Sequence, residues 1–204
     1  MEQCNCGTVR VGQKVTNQSF ATYNPTEGVF EEHSFQEYLE HGKWIVLVFY
    51  PADFTFVCPT ELADLAEQHE ALKTSGVEVF SVSTDTKFAH LAWRTSERLL
   101  ENVRFQMIAD PTGALSRYFG VYDDMDGTAY RGTFIIGPDG LLVGAEINFY
   151  NVGRNAKELL RKVQANVYLA DHPAEACPAR WEQGQKTLTP SEKMVGKVYE
   201  AIKS

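Results

Sequence analysis

The stretch of residues 44–61 reads WIVLVFYPADFTFVCPTE. Its opening, from Trp44 to Tyr50, is the longest continuous apolar run, and Pro51 ends it. A bilayer span needs roughly 18–20 apolar residues, so the run predicts a buried strand instead. A short loop leads to Cys58 and Pro59, after which apolar residues recur at helical spacing, at Leu62, Leu65, Ala66 and Leu72. A buried strand that runs into a helix is the building unit of an α/β fold.

Strand-like and helix-like segments continue to alternate along the chain. Strands are predicted at residues 45–50, 77–83, 105–109, 133–137 and 141–147. Helices are predicted from 58 to about 76, from 87 to about 100 as one or two pieces, from about 111, from 155 to before Pro173, and over 191–202. The pattern predicts one α/β domain with a mixed central sheet flanked by helices over residues 8–172, followed by a C-terminal arm over 173–204.

The composition is that of a globular protein, and its net charge argues against two classes of partner. Of 204 residues, 44% are hydrophobic, and 19 Lys+Arg stand against 27 Asp+Glu, which gives a net charge of −8. This charge repels phosphate backbones and anionic lipids, so we expect no nucleic-acid and no membrane partner. Residues 1–15 show no apolar export signal, which predicts a cytoplasmic protein. Four cysteines are too few for a disulfide scaffold, so any important cysteine is expected to matter for its reactivity.

Cys58 stands where the buried strand becomes a helix. If Pro59 takes the first helical position, Cys58 is the N-cap, and its sulfur faces free backbone N–H groups and the positive end of the helix dipole. Thr55 lies three residues earlier and can both accept and donate a hydrogen bond, while Pro51 stiffens the loop. These residues favour a reactive thiolate. The plainer alternative is a small buried hydrophobic residue, the commoner fate of a lone cysteine.

Pro51, Thr55 and Cys58 match the Pro-x-x-x-Thr-x-x-Cys motif, and here the chain resembles the peroxiredoxins. The resemblance extends over most of the chain, at residues 54–61, 81–86, 131–134, 152–155 and 177–181. Within that family the chain is most similar to the bacterial alkyl hydroperoxide reductase C type of typical 2-Cys peroxiredoxin.

The resemblance implies a thioredoxin-like fold and the reduction of hydrogen peroxide or organic hydroperoxides. Cys58 is then the peroxidatic nucleophile that becomes a sulfenic acid. Arg131 matches the arginine that supplies positive charge, Glu61 matches the residue that orients it, and Arg154 matches a second arginine near the site. Taken alone, Arg131 would be interpreted as a solvated cation at a strand end, and Glu61 as a carboxylate that favours a helix dipole.

The resemblance also assigns Cys177, in the arm, as the resolving cysteine. Spacing alone does not say whether its disulfide lies within one chain or between two, but an arm detached from the core can reach a neighbour. In the typical 2-Cys family it bridges to the peroxidatic cysteine of a partner subunit. The implied assembly is a homodimer and a decamer of five dimers. The candidate surface between dimers is the segment around Phe54, Phe88, Ala89 and Trp93, and the alternative is that these residues lie in the core. The implied electron donor is thioredoxin or a flavin disulfide reductase.

Other classes of function remain open at this point. A cysteine hydrolase would pair Cys58 with a histidine, although the motif is not hydrolytic. A chaperone-like holdase or a redox-signalling partner could use the same assembly. Cys4 and Cys6 are interpreted as two exposed thiols, since neither they nor the five histidines have metal-site spacing. With no glycine-rich nucleotide motif, we expect no cofactor.

Overall fold

The computed structural model describes residues 7–203, so Cys4 and Cys6 lie outside the described residues. The chain divides into two compact units, of which the first ends at Ala156 and the second begins at Lys157. The domain limits expected from the sequence, 8–172 and 173–204, stay a prediction. Over the described range, no helix is long and apolar enough to cross a membrane.

The first unit holds nine strands and four helices among its described residues. In chain order they are β1 Ser19–Asn24, β2 Val29–Ser34, α1 Phe35–Glu40, β3 Trp44–Phe49, α2 Cys58–Thr74, β4 Val77–Ser83, α3 Lys87–Ser96, β5 Gln106–Ala109, α4 Ala114–Tyr118, β6 Tyr122–Asp123, β7 Thr128–Ala129, β8 Arg131–Ile136 and β9 Leu142–Asn148. Two further helices follow, α5 at Ala156–Asp171 and α6 at Val198–Lys203.

Seven of the strands form one mixed sheet in the order β2-β1-β5-β4-β3-β8-β9. Strands β3, β4 and β5 run parallel to one another, whereas β1 and β8 pair antiparallel with their neighbours. The predicted mixed sheet is therefore confirmed. Strand β3 lies between β4 and β8, and all six of its residues are buried, as the apolar run predicts.

The main apolar core forms on one face of this sheet. Side chains alternate between the faces of a strand, so Ile45, Leu47 and Phe49 all enter the same cluster. The ring of Phe49 lies 5.5 Å from that of Phe119 and 5.6 Å from that of Phe134. Full burial of each such side chain stabilises the fold by about 1.5–3 kcal/mol. Helices α2 and α3 pack on β4 and β5 respectively, so the sheet is flanked by helices.

Several predicted boundaries differ from the observed ones for local reasons. The helix predicted from 111 begins at Ala114, because Asp110 accepts hydrogen bonds from the backbone N–H groups of Leu115 and Ser116 and so caps it from a turn upstream. The helix predicted over 87–100 ends at Ser96 and gives way to a short 3₁₀ turn. Glu97, between the two, has an extended backbone.

The two helices predicted in the C-terminal part of the chain show contrasting outcomes. The helix predicted from 155 is confirmed as α5, which ends before Pro173. The helix predicted over 191–202 is wrong as one element. A 3₁₀ turn at Glu192–Met194 and helix α6 are separated at Gly196, whose φ of 75° lies in the left-handed region.

A buried polar cluster fixes the chain just after β3. The Tyr50 hydroxyl donates to Asp53 Oδ1 at 2.7 Å, and His90 Nδ1 lies 2.8 Å from Asp53 Oδ2. His90 Nε2 lies 3.1 Å from the Ile108 carbonyl, which only accepts, so this nitrogen carries a proton. Burial raises the pKa of Asp53, although His90 opposes the shift. The cluster ties the start of the loop to α3 and β5.

We predict that His90→Leu lowers the free energy of unfolding by about 3 kcal/mol, because it leaves one oxygen of the buried Asp53 without its partner. Urea unfolding at neutral pH measures this. The matched control is His41→Leu, which removes an exposed histidine bonded to one backbone carbonyl and should cost less than about 1 kcal/mol. Equal losses in the two variants would contradict a structural role for the cluster.

Candidate active site

Cys58 is the first residue of α2, immediately after the loop that follows β3. The sequence placed it one position earlier, as the N-cap, but that position belongs to Val57. Val57 has a helical backbone, and its carbonyl accepts from the N–H groups of Thr60 and Glu61. The thiol therefore lies in the first turn, where backbone N–H groups have no partner within the helix.

Arg131 brings a positive charge to the buried sulfur. Cys58 is 0% exposed, and Arg131 Nη1 lies 3.4 Å from its Sγ. Arg131 is the first residue of β8, which pairs directly with β3, so the sheet holds the arginine next to the loop and the start of α2. A guanidinium and a helix N-terminus at one sulfur form the kind of environment in which cysteines act as nucleophiles.

Glu61 joins two arginines in one ion cluster. Its Oε2 accepts from Arg131 Nη1 at 2.6 Å, and its Oε1 accepts from Arg154 Nε at 2.8 Å. Burial opposes ionisation of Glu61, but hydrogen bonds and charge from Arg154, together with the charge of Arg131, hold its pKa below the ordinary value. One carboxylate against two guanidinium groups leaves a net charge of about +1 beside Cys58.

Arg154 ties this cluster to the sheet. Its Nη1 donates to the Gly132 carbonyl at 2.7 Å and to Thr133 Oγ1 at 3.1 Å. Its own backbone N–H donates to Glu61 Oε1 at 2.9 Å. The structure thus brings together four of the residues singled out from the sequence, Cys58, Glu61, Arg131 and Arg154.

The loop before Cys58 carries the other two residues of the motif. The Thr55 hydroxyl donates to the Ala52 carbonyl at 2.8 Å, and within the described chain no hydrogen bond joins it to Cys58. Pro51 is partly buried at the start of the loop. Phe54 adopts a φ of 56°, which is uncommon for a bulky residue, and Phe56 is 92% exposed. The loop is anchored at its first residues and loosely packed at its tip.

Sequence reasoning missed one contact of the arginine. Arg131 Nε donates to the backbone carbonyl of Tyr150 at 2.7 Å. No motif signals this role, because any residue supplies a carbonyl.

Cys177 lies in the second unit, where it is partly buried. Burial and the charge of Glu175 raise the pKa of its thiol, opposed by Arg161. The preceding residue, Ala176, exchanges two backbone hydrogen bonds with Leu188. In the same unit Trp181 is 1% exposed and packs against Tyr168, with ring centroids 5.2 Å apart.

Among residues 7–203, no group of three or more His, Cys, Asp or Glu side chains could hold a metal ion.

We predict that Glu61→Gln lowers the free energy of unfolding by about 3 kcal/mol at pH 7, because two buried guanidinium groups lose their shared counter-charge. The pKa of Glu61 is lowered on folding, so its stabilisation is present above the unfolded value of about 4.3 and is lost as the pH falls through the folded value. Urea unfolding from pH 7 to pH 3 should show the wild type and the variant converging.

The control is Glu67→Gln, an exposed position on the same helix, whose effect should stay within about 0.5 kcal/mol. A gap between wild type and Glu61→Gln that stays constant down to pH 3 would show that the charge of Glu61 is not what stabilises the cluster.

Comparison with known proteins agrees with this geometry. Residues 11–145 match the model of the AhpC/TSA family. Over 157 residues the chain is 54% identical to alkyl hydroperoxide reductase C of Bacillus subtilis, an alignment that covers 77% of this chain and 84% of that protein. The same protein of Salmonella typhimurium is 50% identical over 157 residues, with the same coverage of 77% and 84%.

Solved structures give the same result. Enterococcus faecalis AhpC has a TM-score of 0.78 and 42% identity, with 82% of this chain and 98% of that chain covered. The reduced 2-Cys peroxiredoxin of Plasmodium vivax has a TM-score of 0.85 and 28% identity, with 91% and 95% covered. The predicted thioredoxin-like fold of the peroxiredoxins is confirmed. Both the sequence match and the shared architecture show that this chain belongs to the AhpC/TSA family.

Proposed function

We propose that this protein is a thiol-dependent peroxidase that reduces hydrogen peroxide and organic hydroperoxides through Cys58. The observation that carries the proposal is the buried Cys58 sulfur at the start of α2, 3.4 Å from Arg131 Nη1. The relatives named alkyl hydroperoxide reductase C support the same chemistry.

The first step is attack of the Cys58 thiolate on the terminal oxygen of the hydroperoxide. The S–O bond forms as the O–O bond breaks, sulfur supplies two electrons, and the departing oxygen takes up a proton to leave as water or an alcohol. Negative charge develops on that oxygen. Arg131 is held where it stabilises this charge, the role that fixed cationic donors play at many active sites.

Thr55 is proposed to position the hydroperoxide. Its hydroxyl hydrogen is already donated to Ala52, so its oxygen lone pairs remain to accept the hydroperoxide O–H. Pro51, which has no backbone N–H, stiffens the loop that carries Thr55. Glu61 and Arg154 act as positioning residues, because Glu61 holds the guanidinium of Arg131 and Arg154 holds Glu61.

The second step is proposed to be resolution by Cys177 of a partner subunit. The Cys177 thiol condenses with the Cys58 sulfenic acid, so that an S–S bond forms and water leaves. A dithiol donor, thioredoxin or a flavin disulfide reductase, then returns two electrons and restores both thiols. The raised pKa of Cys177 supports a cycle in which Cys58 reacts with peroxide first. It keeps Cys177 a thiol, and a thiol competes poorly with the Cys58 thiolate for peroxide.

We propose the homodimer as the functional unit and a decamer of five dimers as the higher assembly. Phe54 and Phe88 support a surface between dimers, since they are 60% and 64% exposed in the single chain. Trp93 was expected on this surface, and that expectation is wrong. Trp93 is 1% exposed and lies beneath Phe54, with ring centroids 6.3 Å apart. A cytoplasmic location stays a prediction from the sequence.

Serine variants of the two cysteines test the proposed cycle, in a background where Cys4→Ser and Cys6→Ser remove the other thiols. Hydrogen peroxide should convert the parent protein to a disulfide-linked dimer on non-reducing gels. Cys58→Ser should abolish peroxide consumption, because a serine hydroxyl supplies almost no anion near neutral pH. Cys177→Ser should consume one equivalent and accumulate a sulfenic acid that dimedone traps, with no turnover by thioredoxin.

Two outcomes would contradict the proposal at different steps. Peroxide turnover by Cys58→Ser would remove Cys58 as the nucleophile. A monomeric oxidised band in which mass spectrometry joins Cys58 to Cys177 of the same chain would overturn the intersubunit step alone.

A further inference from the structure

We infer that Tyr150 and Asp123 are positioning residues for Arg131, and that the bond between their side chains fixes the carbonyl that aims the guanidinium at Cys58. We call this pair the Tyr150–Asp123 clamp. The inference rests on the proposed function, because its effect is read in the reactivity of Cys58.

The guanidinium of Arg131 is held at two of its nitrogens. Nη1 donates to Glu61 Oε2 at 2.6 Å and lies 3.4 Å from Cys58 Sγ. Nε donates to the Tyr150 carbonyl at 2.7 Å. A guanidinium is planar, so anchors at Nε and Nη1 define its plane, and Nη1 keeps its direction toward the sulfur only while both anchors stay in place.

Glu61 is a rigid anchor, but the Tyr150 carbonyl belongs to a connecting segment. Tyr150 lies after the end of β9 at Asn148 and before Arg154. The neighbours of Tyr150 in this segment are largely exposed, Phe149 by 67% and Val152 by 61%, and the Phe149 ring packs on the rings of Tyr150 and Tyr130 at centroid distances of 4.9 and 5.9 Å. The hydrogen bonds of the Tyr150 side chain are the polar contacts that help to fix the position of its carbonyl.

That side chain is bound to the hairpin of β6 and β7. The Tyr150 hydroxyl donates to Asp123 Oδ2 at 2.7 Å and lies 3.3 Å from Thr128 Oγ1. The other oxygen of Asp123 accepts from the Met125 N–H at 2.9 Å, which fixes the carboxylate. The Tyr150 ring also lies 5.2 Å from that of Tyr130, the residue before Arg131.

The ionisation of both groups suits this bond. Burial, together with Asp123, raises the pKa of Tyr150 to about 12, so its hydroxyl remains a donor at neutral pH. The hydrogen bond from Tyr150 and the backbone N–H of Met125 lower the pKa of Asp123, so it remains an ionised acceptor. A phenol that donates to a carboxylate makes a charge-assisted hydrogen bond, stronger than one between neutral groups.

The test measures the second-order rate constant for oxidation of Cys58 by hydrogen peroxide in rapid-mixing experiments. Tyr150→Phe keeps the ring and removes only the hydroxyl, and we expect a loss of about 5- to 10-fold. Asp123→Ala should lose a similar amount, and the double variant should lose no more than either single one, because both changes break the same bond. Asp123→Asn retains an acceptor oxygen and should recover most of the rate.

A second readout separates positioning from loss of structure. The rate of Cys58 alkylation by iodoacetamide at one fixed pH should fall in Tyr150→Phe, because Arg131 Nη1 is less well held at the sulfur. The control is Tyr122→Phe in the same hairpin. The centroid of the Tyr122 ring lies 3.6 Å from Cζ of Arg117. This control should leave both readouts unchanged.

Failure of the clamp and failure of the proposed function give different results. A wild-type Cys58 that does not react with peroxide would refute the proposed function, and the alkylation rate would still test the clamp. A reactive wild type with Tyr150→Phe within twofold of its rate would overturn the clamp. Equal losses in Tyr150→Phe and Tyr122→Phe, or additive losses in the double variant, would also overturn it.

Discussion

The ion cluster of Glu61, Arg131 and Arg154 is the interaction on which the rest of the site depends. One carboxylate neutralises one of two guanidinium groups, so a positive charge is left beside the Cys58 sulfur. The fold can hold buried charges there because each is hydrogen-bonded to more than one partner. The same arrangement connects three elements, since Glu61 belongs to α2, Arg131 begins β8, and Arg154 precedes α5.

The mixed sheet makes this geometry possible. Strand β3 carries the chain into the loop and α2, and β8 runs antiparallel beside it, so the start of β8 meets the end of β3. The loop between β3 and α2 is fixed at Asp53 and loosely packed at Phe54 and Phe56. Cys58 itself is fully buried, so joining a second thiol requires this loop to move. An exposed tip and a bulky residue at positive φ are features of segments that open at low free-energy cost.

The sequence predicts those parts of the fold that carry a local signal. The apolar run of β3 and the helical spacing after Cys58 are strong patterns, and both elements are observed within a residue or two of the predicted limits. The hairpin of β1 and β2 was missed. Strand β2 is an edge strand with no fully buried residue, so its sequence shows no alternation, although Asn24, Pro25 and Gly28 mark the turn.

The residues of the candidate site also divide into those with a local sequence signal and those without one. Pro51, Thr55 and Cys58 form one contiguous motif, whereas Glu61, Arg131 and Arg154 are recognisable only through resemblance to a family, because their contact spans up to 93 residues of chain. Asp123 and Tyr150 have no signal at all, since a tyrosine and an aspartate 27 residues apart belong to no pattern. Long-range pairs of this kind depend on strand order, which local periodicity does not encode.

Activation of Cys58 by the Arg131 guanidinium is tested by the rate constant of Cys58 oxidation by peroxide in Arg131→Met. Methionine roughly keeps the length of the side chain and removes the charge and the donors. We expect a loss of about 100-fold or more, the size observed when one preorganised donor is removed from an active site. A rate within threefold of the wild type, in a variant whose circular dichroism shows it folded, would contradict it.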